Sequence, residues 1–123
     1  MKNNEIDNAT LVKAIIEGIQ EKKGKDIVVA DLSGIDDAIC NYFIICQGNS
    51  PSHLEAIVRS IAEMADRDLH ERPVALDGMR NAEWVAMDYV DVVVHCFLPE
   101  QRAYYNLENL WADAPLKLIP NLD

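Results

Sequence analysis

Asp88 and His95 lie in one continuous run, Trp84-Val85-Ala86-Met87-Asp88-Tyr89-Val90-Asp91-Val92-Val93-Val94-His95-Cys96-Phe97. A carboxylate beside an imidazole is the pairing that orients a general base. If the run folds back on itself, the two side chains become diagonal neighbours across a hairpin, and the carboxylate would raise the histidine pKa. The pair lacks a nucleophile, since no Ser, Thr or Cys is placed by a motif to use it. A structural His–carboxylate contact is therefore expected. Gly48-Asn49-Ser50, ahead of a helix, could offer backbone N–H groups to a phosphate. Metal-assisted phosphoryl transfer there would also need paired carboxylates. Asp36 and Asp37 are adjacent, so on a strand their side chains would point oppositely, and Asp77 stands alone. Helix capping is the role expected of Ser50. His53, His70 and His95 have no metal-ligand spacing. Cys40, Cys46 and Cys96 have no CxxC pattern, and are expected as buried, reduced thiols. No catalytic constellation is complete, so neither catalytic residues, metal nor cofactor are expected.

The same part of the chain is better equipped for binding. Between Trp84 and Trp111 lie both tryptophans, three of the four tyrosines and one of the two phenylalanines. Aromatics bury much apolar area at low rotamer cost, which is what an interface anchor requires. Trp84, Asp88, Tyr89, Asp91, Arg102 and Tyr105 are the candidate partner-binding residues. Arg102 and Tyr105 are expected to form a secondary patch with Asp88 and Asp91, because the chain passes from the hairpin directly into the helix that carries them.

The elements that must position these residues follow from periodicity and caps. Leu11, Ile15 and Ile19, with Val12 and Ile16, predict an amphipathic helix over 8–23, with Asn8 as N-cap and Gly24 beyond its end. Ile27–Leu32 and Tyr42–Cys46 read as buried strands. Ser50 and Pro51 open a long helix whose apolar face is Leu54, Ile57, Val58, Ile61, Met64 and Ala65. A short strand through Leu76, a turn at Asp77-Gly78, the hairpin and a helix after Pro99 complete the order α-β-β-α-β-β-β-α. With Val90-Asp91 as the turn, Val85, Met87 and Tyr89 share a core face with Val92, Val94 and Cys96. Trp84, Ala86, Asp88, Val93, His95 and Phe97 take the other face. A type I′ turn needs positive φ at both central residues, which Val90 resists, so a longer loop or a bulge is expected. In the last helix Tyr104, Leu107 and Leu110 or Trp111 form a core stripe, beside Arg102, Tyr105, Glu108 and Asn109. Residues 1–7 are an N-terminal extension, 8–114 the domain, and 115–123 a tail without periodicity, packing at most lightly through Leu116, Leu118 and Ile119. Strands separated by helices predict a single α/β domain with a mixed β-sheet flanked by helices.

Bulk properties narrow the partners. The chain of 123 residues carries a formal net charge of −10. Such a surface is repelled by phosphate backbones, which argues against direct nucleic-acid recognition and for a basic protein partner. No run of eighteen apolar residues occurs, and the first residues lack the apolar segment of a signal peptide. The cytoplasm is the expected compartment.

A Trp-led strand ending in Asp88-Tyr89, then Val92-Val93-Val94-His95, then Arg102-x-x-Tyr105-x-Leu107-Glu108-x-Leu110-Trp111-x-Asp113-Ala114 resembles the Iojap-like ribosomal silencing factors. The resemblance extends back through Gly48-Asn49-Ser50-Pro51-Ser52-His53 to Asp31 and covers roughly residues 8–114. Val90 stands where a glycine is common in that family, and Asn41 where an aspartate is common. The resemblance implies a small α/β domain similar in topology to nucleotidyltransferases. It also implies binding to the large ribosomal subunit through ribosomal protein L-fourteen, blocking subunit joining and lowering translation under nutrient limitation, and a homodimer in the free form. The alternatives are a nucleotidyltransferase-like enzyme and a cytosolic adaptor with another partner.

Overall fold

The structure, a computed structural model, describes residues 8–35, 38, 40–107, 109 and 114–122. Helix α1 (Asn8–Glu21) leads into β1 (Lys25–Asp31) and β2 (Tyr42–Gln47), then α2 (Pro51–Leu69), β3 (Ala75–Asp77), β4 (Trp84–Asp88), β5 (Val92–Phe97), α3 (Pro99–Tyr105) and β6 (Leu116–Ile119). The six strands form one sheet in the order β3-β4-β5-β2-β1-β6. Only β2 and β5 pair in parallel; every other neighbour is antiparallel, so the sheet is mixed as expected.

Two helices cover one face of the sheet. Leu11, Ile15 and Ile19 of α1 and Leu54, Ile57, Val58, Ile61 and Ala65 of α2 pack on Ile27, Val29, Ile44, Cys46, Val85, Met87, Val92, Val94 and Cys96. A fully buried aliphatic side chain of this kind contributes about 1.5–3 kcal/mol. The helices approach closely at Gly18, where an added Cβ would lie 2.9 Å from the Ile61 Cα. The Ser60 hydroxyl seals the crossing by donating to the Gly18 carbonyl at 2.7 Å. The opposite sheet face carries a smaller cluster of Ala30, Leu32, Cys40, Phe43, Ile45, Phe97 and Ala114, with Trp84 and Val93 at its margin.

Helix ends obey local chemistry. Ser50 is extended and accepts the His53 N–H at 3.1 Å, with Pro51 in the first turn. At the end of α1 the left-handed residue is Lys23 (φ 60°) and not Gly24. Gly24 is needed for space, since a Cβ there would meet Ile19 Cγ2 at 2.3 Å.

Two expectations about the C-terminal third are corrected. The last helix stops after seven residues, because Asn106 adopts the left-handed conformation (φ 47°, ψ 50°) and donates its N–H to the Arg102 carbonyl. Asparagine tolerates that conformation better than most residues. Tyr104 is consequently 82% exposed and not part of a core stripe. The tail, expected to be irregular, instead supplies β6, antiparallel to β1 through Ile27↔Ile119 and Val28↔Leu118. Edge pairing needs backbone groups and not side-chain periodicity, so a four-residue strand leaves little trace in the sequence. The expectations for Asp36, Asp37, Glu108, Leu110 and Trp111 lie outside the described residues.

Candidate protein-binding surface

Strand β4 presents Trp84, Ala86 and Asp88 on the face away from α1 and α2, and all three are partly buried. The register is the expected one, with Trp84 opposite Phe97, Ala86 opposite His95 and Asp88 opposite Val93. The face therefore has an aromatic end and an acidic end.

At the aromatic end Trp84 is held by neighbours on two elements. Its ring stacks on Phe97 at 5.1 Å and meets Tyr105 of α3 at 4.5 Å. Its indole N–H donates to His95 Nδ1 at 2.8 Å. Tyr104 stands edge-on to Tyr105 at 5.0 Å, and the two tyrosines with Glu83, Glu100 and Gln101 line a cleft of about 390 Å³. The expected His95–carboxylate contact is thus replaced by an indole–imidazole bond. Burial pulls the His95 pKa down to about 4, the reverse of the expected rise. An indole N–H aimed at Nδ1 also requires that nitrogen to keep its lone pair, which favours the neutral ring.

At the acidic end the carboxylate serves the turn. Asp88 Oδ1 accepts the Val90 N–H at 2.7 Å, and the Asp91 N–H closes a three-residue turn on the Tyr89 carbonyl at 3.0 Å. Val90 takes φ 76°, a conformation that a β-branched side chain resists. The connection remains two residues long, with no longer loop or bulge. Tertiary bonds support it: the Asp91 carbonyl accepts the N–H groups of both Asn41 and Tyr42 (2.8 and 3.0 Å). The contact at Asn41 runs through its backbone. Val90 (58% exposed) and Val74 (68% exposed) add apolar surface near this tip, which no charge or aromatic marks in the sequence.

Two other candidate residues are placed differently from expectation. Tyr89 is only 5% exposed, and its ring belongs to the core under α2. Alternation along β4 already put it on that face. Burial, with Glu71 and Asp66 nearby, pushes its phenol up to about 12. Arg102 does not meet the hairpin acids. Its Nη1 donates to the Asp26 carbonyl at 2.7 Å and to Gln47 Oε1 at 3.3 Å. The chain climbs the whole of β5, about 17 Å at ~3.3 Å per residue, before α3 begins, so Arg102 and Tyr105 lie at the opposite end of that strand from Asp88 and Asp91.

The remaining chemical candidates have structural occupations. The Asn49 N–H donates to His53 Nδ1 at 2.9 Å, His53 Nε2 reaches the Lys22 carbonyl at 2.7 Å, and the Gly48 N–H goes to Phe97. These internal bonds use the Gly48 and Asn49 N–H groups, two of the three that would cradle a phosphate. Asp77 lies on β3, three strands from β2 and so about 14 Å away across the sheet. Among the described residues, no three His, Cys, Asp or Glu converge as metal ligands. All three cysteines are buried, with Cys46 and Cys96 Sγ atoms 3.5 Å apart on neighbouring strands. Among the described residues, no helix is long and apolar enough to cross a membrane.

Residues 5–123 match the family model described as ribosomal silencing factor during starvation. The ribosomal silencing factor of Bacillus subtilis is 39% identical over 90% of this chain and 92% of its own length. A crystal structure of a protein from Chromobacterium violaceum superposes with a TM-score of 0.81 at 32% identity, covering 87% of this chain and 88% of that one. A second, from Bacillus halodurans, gives 0.77 at 34% identity and covers 91% of this chain and all of that one. With the family match spanning residues 5–123 and this extent of identity, the chain belongs to the family of ribosomal silencing factors.

Proposed function

We propose that the protein represses translation by binding the large ribosomal subunit through ribosomal protein L-fourteen, so that the small subunit cannot dock when nutrients are scarce. Such a factor acts in the cytoplasm, where the subunits meet. The observation that carries this reading is the Trp84 face. A partly exposed indole packs against both Phe97 and Tyr105, beside the acidic side chains of Glu83 and Glu100. A preorganised aromatic with an acidic rim suits a basic protein surface, and it loses little entropy on binding. No bond is made or broken in this mechanism: a bound domain of this size occupies area that the other subunit must bury. The internal use of the Gly48 and Asn49 N–H groups counts against nucleotidyl transfer. A free homodimer formed through the same face would compete with the ribosome for it.

Sucrose-gradient sedimentation of purified subunits tests the proposal. Added before the small subunits, the protein should travel with the large subunit and increase free subunits at the expense of joined ribosomes. Migration with the small subunit alone would overturn it.

A further inference from the structure

The far edge of the sheet holds an arrangement that reaches back to the Trp84 face. Pairing between β1 and β2 is interrupted between Lys25 and Val28, and Asp26 in the gap adopts φ 52°. A left-handed aspartate costs free energy unless its surroundings hold it. Asn121, just beyond β6, holds it at two points. Its Oδ1 accepts the Asp26 N–H at 2.8 Å, and its Nδ2 donates to Asp26 Oδ1 at 3.3 Å. Lys25 Nζ adds a bond to the Leu122 carbonyl at 3.0 Å. The carbonyl of the same Asp26 receives the Arg102 guanidinium at 2.7 Å.

Helix α3 depends on such outside support. It is seven residues long and none of its side chains is buried. A helix of two turns is not stable alone in water. We infer that Asn121 and β6 position α3, through Asp26 and Arg102, and thereby set the Tyr105 ring over Trp84. Asn121 and Arg102 are positioning residues on this account, and the C-terminal tail is part of the machinery that shapes the binding face. The step from α3 to ribosome binding rests on the function proposed above; the step from Asn121 to α3 does not.

Amide spectra (¹H–¹⁵N) of the full chain decide the first step without any partner. Asn121→Ala and Arg102→Ala should shift the same α3 amides and the Trp84 indole N–H. Shifts in Asn121→Ala confined to β1 and β6 would overturn the inference. A double-mutant cycle on large-subunit binding decides the second step. Asn121→Ala should weaken binding on the order of 3- to 10-fold in the native background, as expected for lost hydrogen bonds. In a Tyr105→Ala background the loss should fall below about 2-fold, since coupled residues are not additive. An undiminished loss there would mean that Asn121 acts by another route, and would also overturn it. Binding unaffected by Tyr105→Ala and Trp84→Ala would instead remove the proposed binding face, while the spectra still decide the Asn121–α3 link.

Discussion

The Trp84 indole is partly buried against Phe97, His95 and Tyr105, and substitutions should separate that structural role from the proposed role in binding. Trp84→Ala is expected to weaken large-subunit binding by about 2 kcal/mol or more. It should also lower stability by about 2–4 kcal/mol, because the ring stacks on Phe97 and bonds to His95. Urea unfolding and a binding titration on the same sample check both, and a stability loss with unchanged affinity would give Trp84 an internal role alone. His95 makes a second test. Its pKa falls to about 4 in the folded state, below the ~6.5 of an unfolded histidine. The unfolded chain therefore binds the extra proton between those values, and the stabilising contribution, complete above pH 6.5, is lost as pH falls through the window. The full shift corresponds to on the order of 3 kcal/mol. His95→Gln can still accept the indole N–H but does not titrate, so its stability should vary less between pH 6.5 and 4. Equal slopes in both proteins would show that His95 does not contribute.

Elements here meet through few, specific contacts. The α1–α2 crossing depends on Gly18, where a Cβ would lie 2.9 Å from backbone. Gly18→Ala should therefore destabilise by about 1–3 kcal/mol, although alanine is the better helix former by ~1 kcal/mol. Thermal unfolding checks the sign, and a rise in Tm would mean that the helices move apart freely. The Asp88 carboxylate at the β4–β5 tip has a structural role in the turn, and the proposed function adds an electrostatic one. Asp88→Asn retains an oxygen acceptor for the Val90 N–H and removes the charge, so with Asp91→Asn it probes steering while sparing the turn. Association with the large subunit should slow several-fold at low salt and converge with the native rate at high salt. Rates independent of both substitutions and salt would exclude electrostatic steering.

The whole molecule is an acidic α/β domain whose described residues hold no assembled metal site, with a formal net charge of −10. Silencing by occupancy then predicts a stoichiometric end point. With the protein titrated against fixed subunits well above Kd, inhibition should saturate near one copy per large subunit. It should need no nucleotide or metal beyond those the ribosome itself requires. Complete silencing at a small fraction of the subunit concentration would indicate turnover, and the nucleotidyltransferase-like alternative would replace occupancy.

Local rules were enough for the features that local physics decides. The Ser50-Pro51 cap, the apolar stripes of α1 and α2 and the alternation along β4 and β5 are written in residue spacing, because each depends on neighbours within one or two turns. The hairpin register followed from alternation as well, and with it the placing of Trp84 opposite the core face. The family was also legible, in the ordered residues from Trp84 to Ala114. Other outcomes depended on groups distant in sequence. Val90 accepts positive φ because Asp88 and the Asn41–Tyr42 backbone hold the turn around it. Asp88 was drawn to that turn and away from His95, which left the imidazole to an indole and lowered its pKa where a rise was expected. The strand formed by the tail and the turning of Arg102 toward Asp26 were likewise set by backbone groups 76 to 92 residues away in the chain. Backbone donors and acceptors are the same at every residue, so only the folded chain shows which of them meet.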